Sequence, residues 1–519
     1  MYSKKLQPAA RVVANTAIQY TRVFITMGLS LYTVRLLLQA LGAADYGIFN
    51  LIGGVVAMFA FFNGAMAAST QRFLSFHQGR NSTILIQQKI FSNGFLLHLA
   101  AAVIIVAALE FAGQFLFHGF LNIATQRLRA AHIVYHAMCA GIFFTVLSIP
   151  FTAVLIAHEN ILGIALLNTA DIVLKFLAAI WLFLIKGDSL LIYGFFIAFL
   201  SLVSLLLVAF YCFSKYPECT VSGIARKDNA LIKEMTSFAG WNLLGALCSL
   251  ARYEGLAIVL NLFFGTVINA AFGIANQVAG QLAVFSITIL RVITPQIIKS
   301  EGNGNRQRML RLSMTASKFG FYLLAGVAIP CIFEMPAILA IWLQYVPDST
   351  VVFCRLVLIG ALANQLTIGL EAALQAVGNI RFYQAIVGGL LLLNIPLAYL
   401  LLKAGLPAHT VLLSYIVVEL FACAIRLQLT KTIAGLSIRL FFARVLMKEI
   451  LPLVVITITC FFIVQYTNFH YRFLFTGSAA VLSFSLSIYL VGLQKDERSV
   501  LQQNLYTFAA WLRRRKKML

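Results

Sequence analysis

The sequence predicts an all-α polytopic membrane protein, and three observations predict it. Of its 519 residues, 61% are hydrophobic and only 11% charged, and the mean hydropathy is +0.91. A water-soluble chain of that make-up would lack the polar surface to cover itself. Apolar stretches of about twenty residues, the length that a bilayer core demands, recur from one end to the other. The basic residues between them collect on alternate sides, as membrane topology requires.

Fourteen spans are expected, at about 13–34, 45–69, 91–112, 130–156, 161–185, 189–212, 236–262, 267–296, 317–343, 352–377, 382–402, 409–429, 449–467 and 473–493. With the amino terminus in the cytoplasm, alternate segments hold 28 Lys and Arg against 6 in the outside loops. That asymmetry places both termini inside and accounts for the net charge of +22 as a topology signal. Nucleic acid is therefore not an expected partner. The eight cysteines follow no metal or disulfide spacing and read as packing residues. No cleaved signal peptide is recognisable ahead of the first span.

An internal duplication organises the spans. LGAADYGIFN at 41–50 is echoed by FGTVINAAFGIANQ at 264–277, and Gly42 to Gly265 and Gly79 to Gly302 share an offset of 223 residues. Six spans separate the copies, so both copies cross the membrane in the same direction, with a binding site expected between the halves. The expected organisation is a six-span lobe at 1–234, a second at 235–430, an extra helix pair at 431–495 and a basic amphipathic cytoplasmic tail at 496–519. The tail reads either as an interfacial helix on anionic lipid or as a solvated basic end.

Polar lines within the apolar spans mark candidate sites. On the first span Asn15, Gln19, Arg22, Thr26, Ser30 and Thr33 fall within roughly 80° of helical arc. A basic group near the centre of a membrane helix costs ~3 kcal/mol, so it needs a wet cavity or an anionic partner. The seventh span carries Asn242, Gly245, Ser249, Arg252 and Tyr253, and the eighth Gln277, Gln281, Thr288 and Arg291. Each arginine could serve a cavity or staple helices together, and Arg291 could instead snorkel to the interface. Asp171 and Lys175 on the fifth span, beside Asn168, sit at i and i+4 and can neutralise each other, or the lysine can face a cavity. Glu254, Glu371 and Glu419 are either coupling sites for H+ or Na+ or counter-ions for buried arginines. Glu371 belongs to a stripe with Gly360, Asn364, Thr367 and Gln375 on the tenth span.

Enzyme signatures are missing: the chain has no P-loop, no HExxH and no Asp-x-Asp, and no loop long enough for a catalytic domain. His98, His132, His136 and His158 have no carboxylate or cysteine at ligand spacing along the sequence. No cofactor is expected; an ion gradient, the membrane potential or the substrate itself must supply energy.

The order and spacing of several stretches are similar to a known family. Asn15, Arg22, Arg35 and LGAADYGI, then GWN at 240–242, FGTVINAAFGIANQV at 264–278, PQIIKSEGNGN at 295–305, ILAIWLQYVP at 338–347 and LQAVGNIRFYQ at 374–384 resemble the polysaccharide (O-antigen type) flippases of the multidrug/oligosaccharidyl-lipid/polysaccharide exporter superfamily. The resemblance implies a MATE-like fold of two six-helix bundles around a central cavity. It implies transport of a polyprenyl-diphosphate-linked oligosaccharide to the outer leaflet of a bacterial inner membrane. Drug exporters of that superfamily usually have twelve spans and an acid in the first helix, where this chain has fourteen expected spans and Arg22. On that reading Arg22, Arg252, Arg291, Gln19, Asn242, Gln277, Gln281 and Lys175 bind substrate, and Glu254, Glu371, Glu419 and Asp171 serve as coupling or counter-ion groups. Membrane lipids are expected partners, glycan-synthesising enzymes could associate, and a monomer is expected. An ion-coupled exporter of drugs or metabolites is the alternative.

Overall fold

The computed structural model describes residues 60–117, 125–185, 187–220, 228–343, 346–469, 471–494 and 496–499, with scattered positions between 26 and 53. Among these the secondary structure is helical, without a strand. In chain order the helices are α1 (Ala60–Gly79), α2 (Ile84–Phe115), α3 (Thr125–Ala157), α4 (Ile161–Trp181) and α5 (Ser189–Lys215). They continue with α6 (Asn229–Gly302), α7 (Arg306–Phe333), α8 (Met335–Trp342), α9 (Thr350–Gln365), α10 (Ile368–Val377), α11 (Arg381–Lys403) and α12 (His409–Ala434). The last are α13 (Ile438–Phe441), α14 (Met447–Tyr466) and α15 (Arg472–Ser487), with π-helical turns at Phe442–Leu446 and Ile488–Gly492.

Among the described residues eleven helices are long and apolar enough to cross a membrane, α6 counting as two on either side of a kink at Gly265, and up to thirteen spans result if two bent helix pairs each count as one. The expected first span, with Gln19 and Arg22, lies mostly outside the described residues, as does the tail beyond 499. The helices outrun the apolar stretches that announced them. The segment expected as a loop around Arg72 is the last part of α1, and α6 continues to Gly302, three residues before α7. Apolar patterning locates what lies in the bilayer, whereas the backbone ladder continues wherever nothing breaks it.

The breaks bear out the duplication. Gly42 and Gly265, 223 residues apart, both take left-handed backbone, with φ of 76° and 74°. A side chain at either would clash with its own carbonyl. α3 ends at Ala157 and α4 begins at Ile161, while α10 ends at Val377 and α11 begins at Arg381, an offset of 220 residues at both points.

Contacts divide the described chain into two units, the first ending at Ala246 and the second beginning at Leu247, with Gly302–Gly304 belonging to the first. In the amino-terminal unit α3 is central, packing on α2 and α5, and its Tyr135 hydroxyl donates to the Leu109 carbonyl at 2.5 Å. The carboxy-terminal unit is built on α7, which touches α9, α10, α14 and α15, while α12 packs on α9 and α11. The outside of the helices is apolar: Leu184, Phe210, Leu262 and Leu482 are 70–77% exposed. Such surfaces are stable only against lipid. Seven cysteines are buried and the eighth, Cys331, is half-buried, and all eight are free.

Candidate functional site

Among the described residues, three polar assemblies collect the site residues expected from the sequence. The most enclosed is a seam in the carboxy-terminal unit. The stripe Gly360, Asn364 and Thr367 lies on α9 and the turn after it, against Tyr415, Glu419, Cys423 and Arg426 of α12. These partners rise together in number, so the two helices run in the same direction. Gly360 gives room to the Tyr415 ring, the Asn364 amide donates to Glu419, and the Cys423 thiol reaches the Ala363 carbonyl at 3.2 Å. Thr367 accepts from Arg426 at 3.4 Å.

Glu419 sits at the centre, fully buried, between two guanidinium groups. Arg252 of α6 donates to its Oε2 at 2.9 Å, and Arg426 donates to its Oε1 at 3.3 Å. The Arg252 guanidinium also lies 4.6 Å from the centre of the Tyr415 ring. Beyond Arg426, within reach of its charge, lie Glu371 and the buried Tyr383, and the Glu371 Oε1 accepts from Gln375 at 3.3 Å. Two arginines and two carboxylates are thus matched in charge, and a buried pair of this kind holds helices in register. Arg252 and Glu419 therefore meet as staple and counter-ion, the alternative that the sequence left open for both.

The second assembly is a cavity of about 210 Å³ in the amino-terminal unit, between α3, α4 and α5. Thr145, Ser148 and Thr152 line it from one side, Asn168, Asp171 and Lys175 from another, and Ser201 and Ser204 from the third. Lys175 donates to Asp171 at 2.7 Å, and the Ser204 hydroxyl lies 3.2 Å from the other Asp171 oxygen. The side chains of the pair are 37% and 26% exposed. The internal pair and the cavity lysine, posed as alternatives from the sequence, coexist.

The third is a face of α6. Ala270, Gly273, Gln277, Gly280, Gln281 and Arg291 recur at helical spacing and are all exposed. A Cβ on Gly273 or Gly280 would meet nothing within 4 Å. Arg291 has no hydrogen-bond or ion-pair partner among the described residues. Thr288, expected on this line, turns inward and donates to the Val284 carbonyl at 2.7 Å. A strip of amides, glycines and a guanidinium would be costly against hydrocarbon, so it suits water or a polar ligand.

The remaining expected residues fall elsewhere. Asn242 is buried, 8% exposed, apart from the half-buried Arg252 that shares its helix. Glu254 is exposed and forms no ion pair among the described residues. Gln19 and Arg22 lie outside the described residues. Arg426, taken from the sequence as a cytoplasmic topology charge, is instead a buried member of the seam. Its position seven residues after Glu419, on the same helical face, was the available signal. Two histidines find carboxylates that sequence spacing could not reveal: His158 meets Glu218, and His136 meets Glu110 at 2.9 Å. No group of three or more metal-ligating side chains occurs among the described residues.

No family model and no curated protein matches the chain. Solved structures do. One is described as a MOP superfamily transporter from Pyrococcus furiosus whose binding pocket has reversed polarity, with 14% identity and a TM-score of 0.70. Another is an outward-facing multidrug resistance MATE family transporter, with 14% identity and a TM-score of 0.71. A third is MATE in its straight conformation, with 14% identity and a TM-score of 0.72. Each alignment covers 83% of this chain and 97% of the solved one. At this identity the likeness establishes the fold, which is that of MATE transporters.

Proposed function

We propose that the protein flips a polyprenyl-diphosphate-linked oligosaccharide from the inner to the outer leaflet of a bacterial inner membrane, by alternating access of a basic cavity. The observation that carries this reading is the exposed strip on α6. Gln277 and Gln281 offer amide donors and acceptors to sugar hydroxyls, and Arg291 offers a guanidinium free to bind phosphate. Arg22 would add a second cation from the first span. Lys175, in its hydroxyl-lined cavity, is a further polar contact for the glycan. Arg252, on the part of α6 before the Gly265 kink, ties that part to α12 through Glu419.

The inside-negative potential favours the outward step. Moving an anion outward gains ~2.3 kcal/mol per charge per 100 mV, or ~4–5 kcal/mol for a diphosphate carrying about two charges. Fluorescent lipid-linked oligosaccharide in proteoliposomes tests the proposal, with an accessible-leaflet quencher as readout. Arg291→Ala should lower flipping at least tenfold while the melting temperature stays unchanged. Full flipping by both Arg291→Ala and Arg22→Ala rejects the assignment.

A second reading, an ion-coupled MATE-type exporter of drugs or metabolites, is favoured by Glu254, an exposed acid on the apolar part of α6 without an ion-pair partner among the described residues. Ethidium efflux that is lost in Glu254→Gln and kept in Arg291→Ala would select that reading over the first.

A further inference from the structure

The extra helix pair contains a polar cluster that the transport reading does not use. Glu449, in the first turn of α14, is 2% exposed, and neither of its carboxylate oxygens has a hydrogen-bond partner among the described residues. The cation whose charge reaches it is Lys318 of α7, itself 1% exposed. Its ammonium is already engaged, donating to Glu497 at 2.5 Å and to the Gly492 carbonyl at 3.4 Å. Glu497 in turn accepts from the Gln494 backbone N–H at 2.8 Å. One turn along α7, Tyr322 donates to the Lys448 carbonyl at 2.8 Å, so this face of α7 holds both the start of α14 and the segment after α15. A π-helical turn interrupts each extra helix at this level, Phe442–Leu446 on one and Ile488–Gly492 on the other. Such turns place side chains where a regular helix would not.

The charged groups of the cluster are Lys318 and Arg311 of α7, Arg444 of the first π turn, and Asp496 and Glu497 of the final segment, with Lys448 next to Glu449 in the chain. Three guanidinium or ammonium groups converge with Glu497 and Asp496 on one small cavity. A proton satisfies Glu449 where it stands, because a neutral acid needs no counter-charge when buried.

We propose that Glu449 is a proton-binding site that controls the latch between Lys318 and the segment after Gly492. With the proton on, Glu449 is neutral and Lys318 stays on Glu497. With the proton off, Glu449 becomes a second carboxylate competing for one ammonium, and Lys318 moves to it. Glu497 and the described turn at 496–499 are then released. The inference stands on α7 and the extra helix pair and does not depend on the substrate.

The test uses the full chain in lipid vesicles. Infrared spectra of the wild type at neutral pH should show the C=O band of a buried carboxylic acid, and that band should be lost in Glu449→Gln. A spin label at Ser499→Cys should gain mobility as the pH rises from neutral, stay immobile in Glu449→Gln and be mobile throughout in Glu497→Gln. A missing band, or a label whose pH response is unchanged in Glu449→Gln, overturns the proposal. If Glu449→Gln does not fold, Glu497→Gln decides: a pH-independent mobile label supports the latch, and a persisting pH response rejects it.

Discussion

Each unit carries an acid–base pair within its apolar helices, and the two pairs differ in one respect. Lys175 and Asp171 are joined at 2.7 Å but keep part of their surface in a cavity. Arg252, Glu419 and Arg426 form a network whose central carboxylate is fully buried. The same chemistry therefore has opposite consequences. A half-exposed pair can exchange its partner for a ligand at little cost, whereas a buried network cannot lose one member without stranding the others. Exposure, more than charge, separates a group that can contact a substrate from one that holds helices together.

That contrast can be broken by experiment. The largest effect is expected at Glu419. Glu419→Ala leaves two arginines without their carboxylate and should cost ~3–5 kcal/mol, seen as a collapse of the melting temperature in detergent. Replacing Arg252, Glu419 and Arg426 together by apolar residues of similar size should recover most of it. A Glu419→Ala protein that melts like the wild type would remove the distinction between the two pairs.

The two left-handed glycines come next. Gly265→Ala and Gly42→Ala should each destabilise by ~1–2 kcal/mol, because each needs a backbone that disfavours a Cβ. Equal losses would support the duplication as a matched structural device. A loss in only one would show that the units tolerate the break differently.

A smaller effect belongs to Asp188, which caps α5 by accepting from the N–H groups of Leu190 and Leu191. Burial alone would raise its carboxyl pKa, but the hydrogen bonds from Arg127 and from those backbone groups outweigh it and hold the value below the usual range. Arg127 reaches it at 2.6 Å and also binds Asp45. A carboxyl depressed on folding contributes stability in full above its unfolded pKa of about 3.9 and loses it as pH falls through the lower folded value. Acid titration of the melting temperature should show that loss, and Asp188→Asn should flatten it.

The smallest stability change is expected at Lys175. Lys175→Ala should shift stability by less than about 1 kcal/mol while lowering glycan flipping. A stability loss comparable to that of Glu419→Ala would place Lys175 with the staples.

How far the sequence reaches is clearest residue by residue. The offset from Gly42 to Gly265 announced two breaks that the backbone then makes at nearly the same φ. The stripe from Gly360 to Gln375 announced a polar face that α12 then covers. Periodicity along one helix could say that Glu419 and Arg252 are inside the membrane. It could not say that they meet, because their separation of 167 positions closes only in three dimensions. Arg426 and Lys318 counted as loop charges for the same reason, since both ends of a buried contact are needed to see it.

Hydrophobicity and the positions of Lys and Arg were enough to determine a helical membrane protein and its approximate spans, and the repeated stretches its duplication. These properties depend on transfer of each segment from water to lipid, which is local in sequence. Which charges are neutralised, which line a cavity and which stand exposed was decided by tertiary structure alone. Those outcomes depend on what a second helix brings within about 4 Å, where Coulomb and hydrogen-bond terms act. Glu419 bound between Arg252 and Arg426 is the product of that second step.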